Sequence, residues 1–209
     1  MKTIYFIRHA RPEPPFDNYH KIPRDKIEAY AKGTLDPGIH PGTRNILQNK
    51  FNKDKLFREI KNTKVDILYS SPVSRAKQTS IIIAELLKIH SVAELASLAE
   101  VRFDFKNFIN PKDKYIDTDK TMKKLIIDWL DGNNIEDIND TLSRIQALLN
   151  FLEKSEFKNI ICVSHGVLMG FIQFYSQGFK TQDKIKEQFT ANFIQFEQIG
   201  FLHCIKIQL

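Results

Sequence analysis

Short apolar runs that alternate with amphipathic segments constrain the fold of this chain more than any other feature. Four runs have the length and the β-branched or aromatic content of buried strands. They are residues 3–7, 65–69, 94–98 and 159–163. Between and after them, apolar residues recur at helical spacing in segments 43–60, 74–88, 120–130, 138–152 and 167–175. We therefore predict an α/β fold in which a mostly parallel sheet is flanked by helices on both faces.

The last part of the chain has a different pattern. Residues 193–197 and 203–208 alternate apolar and polar side chains and are separated by Gly200, which predicts a hairpin with an antiparallel strand at the sheet edge. A length of 209 residues suits one domain. We assign residues 1–209 to a single domain, with irregular, cap-like segments at about residues 11–40 and 101–130.

Charge and hydropathy narrow the classes of partner. The formal net charge is +6, but lysines and arginines are interspersed with acidic residues and form no block of about five like charges. We therefore expect no nucleic-acid partner. The first apolar run is too short for a signal peptide, and no stretch of about eighteen apolar residues occurs. The sequence predicts a cytoplasmic protein with no membrane partner.

Histidine and cysteine spacing argues against a metal centre. Four histidines lack a ligand spacing such as His-x-x-x-His. They are His20, His40, His90 and His203. Cys162 and Cys204 lie far apart in apolar runs and form no C-x-x-C pair. We expect neither a bound metal nor another cofactor.

Chemically active side chains follow the predicted strands. Arg8 and His9 follow the first strand, Arg75 comes shortly after the second, Glu100 follows the third and His165 follows the fourth. The carboxyl ends of parallel strands meet at one edge of a sheet, where ligands bind. We therefore expect these five side chains to lie together.

Two arginines, two histidines and a carboxylate suit phosphoryl transfer. A transferring phosphoryl group needs in-line attack and neutralisation of its oxygen charges. Arginine binds two phosphate oxygens with its planar fork and keeps its charge at physiological pH, so Arg8 and Arg75 are candidate phosphate ligands. Neutral imidazole is a nucleophile and imidazolium is a hydrogen-bond donor, so His9 and His165 can divide these roles.

Three segments carry a more specific pattern. Residues 6–10 read Phe-Ile-Arg-His-Ala, residues 70–79 read Ser-Ser-Pro-Val-Ser-Arg-Ala-Lys-Gln-Thr, and residues 163–166 read Val-Ser-His-Gly. In these segments, and in their order and separation, the chain resembles the histidine phosphatase superfamily, also called the phosphoglycerate-mutase-like family. With the weaker stretch 36–42 and the final hairpin, the resemblance covers most of the chain.

This resemblance implies a phosphoglycerate-mutase-like fold and a metal-independent, two-step reaction on a small phosphorylated substrate. His9 would attack phosphorus to form a phosphohistidine, which water then hydrolyses. Arg8, Arg75 and His165 would hold the phosphoryl oxygens, and a carboxylic acid would protonate the leaving oxygen and then act as base on water. A homodimer is a further expectation from the family.

The identity of the acid is open among three carboxylic residues. Glu100 stands where the family often has a glutamate after a leucine, but the Gly-Trp-Glu-Gly-like signature that follows is missing. Glu13 and Asp104 are rival candidates.

Three functions are compatible with the sequence. The first is a phosphomonoesterase of unknown substrate, and the second is a phosphotransferase of the phosphoglycerate mutase type. The third is a non-catalytic relative that binds phosphorylated ligands. Residues 10–13 read Ala-Arg-Pro-Glu, whereas phosphoglycerate mutases tend to have Gly-Glu after the nucleophile. This departure favours the phosphomonoesterase, and the presence of both His9 and His165 argues against a non-catalytic relative.

Overall fold

The computed structural model describes residues 1–13, 21–31, 35–103, 112, 114–133, 136–191 and 199–209. The strands in these ranges are β1 (Thr3–Arg8), β2 (Lys21–Pro23), β3 (Ile67–Ser70), β4 (Val92–Glu94), β5 (Tyr115–Asp117), β6 (Asn159–Ser164) and β7 (Cys204–Gln208). Five of them form the central sheet, in the order β4-β3-β6-β1-β7. Its neighbouring strands are parallel, except that β7 runs antiparallel to β1 at the edge. The predicted mostly parallel sheet with an antiparallel edge strand is confirmed.

Helices cover both faces of this sheet. In the described ranges they are α1 (Arg24–Ala31), α2 (Thr43–Lys53), α3 (Lys55–Lys61), α4 (Ser74–Leu87), α5 (Thr118–Leu130), α6 (Ile138–Lys154), α7 (Gly166–Ser176) and α8 (Gln182–Ala191). Because side chains alternate between the faces of a strand, Tyr5 and Ile7 pack with α2, α3 and α4. Ile4 and Phe6 pack with α5, α6, α7 and α8 on the other face. Burial of β1 on both sides explains its unbroken apolar run.

Two predicted elements differ from those observed. The single helix predicted over 43–60 is two helices, because Asp54 has extended backbone and its carboxylate accepts hydrogen bonds from the amides of Leu56 and Phe57 at the start of α3. The strand predicted over 94–98 ends at Glu94, and Ala96–Leu98 form a 3₁₀ turn. The apolar run extends to Leu98 because that side chain is buried in the core and not because it pairs in the sheet.

The cap-like segments contain more regular structure than the apolar spacing predicted. Segment 11–40 includes β2 and α1, and segment 101–130 includes β5. Helix α5, in the same segment, matches the helix predicted over 120–130. β2 and β5 form a separate antiparallel pair, and Ile22, Ile27 and Ile116 pack together beside it. Helix α8 is also absent from the sequence-based prediction. The predicted first strand of the final hairpin, residues 193–197, lies outside the described residues.

Candidate active site

His9 and His165 follow neighbouring parallel strands, β1 and β6. The strand register pairs Arg8 with Ser164, and the His9 N–H donates to the Ser164 carbonyl over 2.9 Å. The two imidazole rings are therefore 5.0 Å apart between centroids, at an angle of 62°. Arg75 reaches the same place from the first turn of α4, which follows β3. His9, Arg75 and His165 expose only 3%, 7% and 0% of their surface, so their partners are protein groups.

The Arg75 guanidinium joins both histidines. Its Nε donates to His9 Nε2 over 3.1 Å, and its Nη2 lies 3.3 Å from His165 Nδ1. A guanidinium can only donate, so both of these ring nitrogens act as acceptors. The proton of His9 is then on Nδ1, which donates to the Ala10 carbonyl over 2.7 Å. His9 consequently presents the Nε2 lone pair to the site.

His165 carries its proton on the opposite nitrogen. Its Nε2 lies 2.8 Å from the Ser71 hydroxyl oxygen, and this contact is a donation when Nδ1 accepts from Arg75. His165 and Ser71 are completely buried. The Ser71 hydroxyl also accepts from the Val73 amide over 3.4 Å. Ser71 therefore fixes the orientation of the His165 ring.

Both histidines are neutral in this arrangement. The pKa of His9 lies well below its ordinary value of 6.5. The main cause is burial, and electrostatic repulsion from His165, Arg75 and Arg8 adds to it. The pKa of His165 is also lowered, first by burial and then by the positive charges of Arg75, Arg8 and Arg144. An imidazole kept neutral at physiological pH has its lone pair available for nucleophilic attack.

These lowered pKa values predict acid-sensitive stability. As the pH falls through 6.5, the unfolded chain binds protons at His9 and His165 while the folded protein does not, so the folded state loses stability. The free energy of unfolding should fall by up to about 1.4 kcal/mol per pH unit for each histidine. Urea unfolding between pH 7.5 and pH 5.5, in buffer without phosphate, measures this slope. In His165→Asn the slope should be shallower, and an equal slope in both proteins would contradict the buried neutral state of His165.

The backbone after His9 is tied to α4 and to the segment before α2. Thr79 is completely buried, accepts from the Ala10 amide over 3.0 Å and donates to the Arg75 carbonyl over 2.7 Å. The Glu13 amide donates to the Gly38 carbonyl over 2.7 Å, while the Glu13 side chain is exposed. These contacts hold the loop over the histidines and leave the Glu13 carboxylate facing solvent.

Arg8 is enclosed by residues that precede β7. Its Nη1 donates to the Ile199 carbonyl over 2.5 Å, and its guanidinium carbon lies 4.4 Å from the centre of the Phe201 ring. The Phe201 ring is also 5.7 Å from the His9 ring. A cation over an aromatic face is stabilised by the ring quadrupole, so Phe201 helps to hold Arg8 beside His9.

Gly166 leaves the space that Arg8 occupies, so Gly166→Ala should displace the Arg8 guanidinium and lower activity. A Cβ at this position would lie 3.0 Å from Arg8 Cζ and 3.1 Å from its Nε, and the guanidinium would have to move. We expect kcat/KM to fall on the order of tenfold, while the free energy of unfolding stays level or rises by up to about 1 kcal/mol because alanine favours helix. Steady-state kinetics and urea unfolding measure the two effects. Gly200→Ala is the control, because a Cβ there meets nothing within 4 Å; equal kinetics in both variants would contradict the expectation.

Glu100 lies at the N-terminus of α7. Its Oε1 accepts from the Leu168 amide over 2.9 Å and its Oε2 from the Val167 amide over 3.2 Å. Burial raises the pKa of this carboxyl, although the amides of Leu168, Val167 and Val101 and the charge of Arg8 act in the opposite direction. The Glu100 carboxyl therefore binds the amides two and three residues after His165, and its burial favours the protonated form. Its rival Asp104 lies outside the described residues.

Sequence reasoning missed two further polar groups of the site, Asp36 beside Arg75 and Ser71 beside His165. The Asp36 carboxylate lies 3.5 Å from Arg75 Nη1 and also accepts from the Ser74 amide over 3.0 Å, at the first residue of α4. Ser71, described above, holds His165. Both residues belong to segments that resemble family motifs, and this was the only sequence signal for them.

Among the residues that the structure describes, no group of three or more histidines, cysteines or acidic residues is arranged to hold a metal ion. In the same part of the chain, no helix has the length and hydropathy needed to cross a membrane.

Comparison with known proteins identifies the class. The family model of the histidine phosphatase superfamily (branch 1) matches residues 51–191, a range that contains Arg75, Glu100 and His165. The match spans more than half of the chain, so this protein belongs to the histidine phosphatase superfamily, branch 1. The predicted family membership and fold are thereby confirmed.

Individual relatives are phosphatases by name. A Hydrogenobacter thermophilus protein named "Putative phosphoserine phosphatase 2" is 26% identical over 175 residues, which cover 79% of this chain and 74% of the relative. A mutant phosphoserine phosphatase from Entamoeba histolytica, solved with phosphoserine, superposes with a TM-score of 0.57 at 18% identity, covering 99% of this chain and 90% of that one. Mycobacterial glucosyl-3-phosphoglycerate phosphatase superposes with a TM-score of 0.61 at 12% identity, covering 100% and 91%. Family and relatives together support phosphatase activity.

Proposed function

We propose that this protein is a metal-independent phosphomonoesterase in which His9 Nε2 is the nucleophile. The observation that carries the proposal is the pair of hydrogen bonds made by the His9 ring, from which its tautomer follows. Its Nδ1 proton is bound to the Ala10 carbonyl and its Nε2 lone pair faces the Arg75 guanidinium. A monoester dianion that binds to Arg75 and Arg8 brings its phosphorus to the side chain that can attack it.

The first step transfers the phosphoryl group to His9. The Nε2 lone pair forms a bond to phosphorus while the bond between phosphorus and the ester oxygen breaks. That oxygen takes a proton from Glu100 and leaves as an alcohol. Arg8 and Arg75 neutralise the charge on the three phosphoryl oxygens. His165 takes up a proton from solvent as the dianion binds, so that its Nδ1 donates to one of these oxygens, and it returns the proton to solvent when inorganic phosphate leaves.

The second step returns His9 to its starting state. Glu100, now ionised, takes a proton from a water molecule that attacks phosphorus, and the bond between phosphorus and Nε2 breaks. Inorganic phosphate leaves and His9 is again neutral. The raised pKa of Glu100 supports this double role, because a group that titrates nearer neutral pH both gives and takes a proton more readily.

The relatives' names suggest phosphoserine as the first natural substrate to test. Its ester is a small primary-alcohol monoester, which matches the expectation of a small phosphorylated substrate. The alcohol is a poor leaving group, so its hydrolysis depends on the proton donor. We propose phosphoserine-type monoesters as the substrate class.

The experiment is hydrolysis of phosphoserine and of p-nitrophenyl phosphate by the purified protein in excess EDTA. Release of inorganic phosphate, with a phosphorylated protein detected by mass spectrometry after rapid quenching, is the expected result. A requirement for a divalent metal would contradict the mechanism. Turnover only with a phosphoglycerate and added bisphosphoglycerate would instead identify a mutase, and phosphate binding without turnover would identify a binding protein.

A further inference from the structure

The loop that carries Glu100 is held by two charged residues outside the family motifs. Glu136 lies just before α6, and Arg144 lies on α6 two turns after its start. Arg144 Nη2 donates to Glu136 Oε1 over 2.6 Å. The two side chains expose only 21% and 11% of their surface, for Arg144 and Glu136 respectively. The Thr141 hydroxyl also donates to Glu136 Oε1, over 2.7 Å.

This ion pair binds the backbone on both sides of Glu100. Before Glu100, Arg144 Nη1 donates to the carbonyls of Ala99, over 2.7 Å, and Ser97, over 3.1 Å. After Glu100, the Arg102 amide donates to Glu136 Oε2 over 3.0 Å. Arg144 also acts on His165 through its charge, which lowers the pKa of that ring. The hydrogen bonds that the structure describes for the pair go to the loop of Glu100 and to each other.

A third contact links the same loop to the strand that carries His165. The Ser164 hydroxyl donates to the Leu98 carbonyl over 2.8 Å, and both residues are completely buried. The loop is therefore fixed to β6 at Leu98 and to α6 at Ala99 and Arg102. With these anchors, little freedom is left to the backbone of Glu100.

The Glu136 carboxyl is held in its ionised form, which strengthens its hydrogen bonds to Arg144 and to the loop. Burial opposes the charge on Glu136, but the Arg102 amide, the Thr141 hydroxyl and Arg144 outweigh it and hold its pKa below the ordinary value. A charged, hydrogen-bonded pair fixes geometry more firmly than neutral groups do.

We propose that Glu136 and Arg144 are positioning residues that keep the Glu100 carboxyl within reach of the leaving oxygen. This inference rests on the proposed role of Glu100 as the acid. Proton transfer requires hydrogen-bond geometry, and a misplacement of about 1 Å can cost on the order of a hundredfold in rate. Loss of the pair should therefore slow those reactions in which the leaving oxygen needs a proton.

The test compares two leaving groups in the full-length protein. Arg144→Met should lower kcat for phosphoserine on the order of tenfold or more, while kcat for p-nitrophenyl phosphate, whose leaving group needs little protonation, should change by less than about threefold. The p-nitrophenyl phosphate rate also shows that the variant is folded. Arg44→Met is the matched control, because Arg44 forms an exposed ion pair with Glu85 on the α2 and α4 surface.

A double-mutant cycle separates positioning from other effects. Glu100→Gln alone should reproduce the leaving-group selectivity, and adding Arg144→Met to it should cost nothing further on phosphoserine. Equal slowing of both substrates by Arg144→Met, or additive losses in the double variant, would overturn the positioning role. A Glu100→Gln variant without leaving-group selectivity would instead overturn the proposed acid. If Arg144→Met does not fold, Glu136→Gln, which keeps an acceptor for the Arg102 amide, is judged by the same criteria.

Discussion

Replacement of His9 with alanine is expected to lower kcat for phosphoserine and for p-nitrophenyl phosphate by more than about a thousandfold. The variant lacks Nε2, the atom to which we propose that the phosphoryl group is transferred, so both leaving groups should be affected alike. Folding should persist, because the side-chain contacts that the structure describes for the His9 ring are with Arg75, His165 and Phe201, at the site itself. Steady-state kinetics, rapid-quench mass spectrometry and thermal unfolding test the three parts of this expectation.

His90→Ala is the matched control for that variant. His90 is exposed and lies between α4 and the start of β4, not at the carboxyl end of a strand, so its removal should leave turnover unchanged. Residual turnover of the His9→Ala protein above about a tenth of the wild-type rate would rule out His9 as the nucleophile. A phosphorylated form of the His9→Ala protein would lead to the same conclusion.

Arg75→Lys should lower kcat/KM by about a hundredfold to a thousandfold. Lysine keeps the positive charge but lacks the planar fork that reaches His9 Nε2 and His165 Nδ1 together. Inhibition by inorganic phosphate should weaken in parallel, because the same fork would bind the product. Kinetics at several phosphate concentrations measure both effects.

Arg58→Lys provides the comparison for Arg75→Lys. Arg58 lies in the last turn of α3, and its replacement should change neither kcat/KM nor phosphate inhibition. If Arg75→Lys retained the wild-type phosphate inhibition constant, the proposed role of Arg75 as a phosphate ligand would have to be abandoned.

The sequence predicted the parts of the fold in which local pattern and burial agree. β1 and β6 are buried on both faces, so their apolar runs are continuous and their ends lie within one residue of those predicted. The break at Asp54 was missed because the helical spacing continues across it. β2, β5 and α1 were missed because their small apolar cluster, Ile22, Ile27 and Ile116, combines positions from distant segments.

The part of the candidate site that follows directly from the strands was predicted, and the part that depends on loops was not. Arg8, His9 and His165 follow strand ends directly, so strand positions alone predicted that they would meet. The contacts of Asp36 and Phe201 depend on how loops fold back. Asp36 meets Ser74 across 38 positions, and Phe201 meets Arg8 across nearly the whole chain. No periodicity in the sequence marks such long-range contacts.

The enclosure of Arg8 by residues 199–201 has a consequence for the order in which this protein becomes active. The hydrogen bond from Arg8 to Ile199 joins positions 191 residues apart, and contacts of such separation form only after a large loss of chain entropy. During synthesis on the ribosome, Arg8 emerges first and must wait for its partners. Activity should therefore arise at the end of folding, in a chain whose edge strand has already docked, and partly folded chains should not attack cellular phosphate esters.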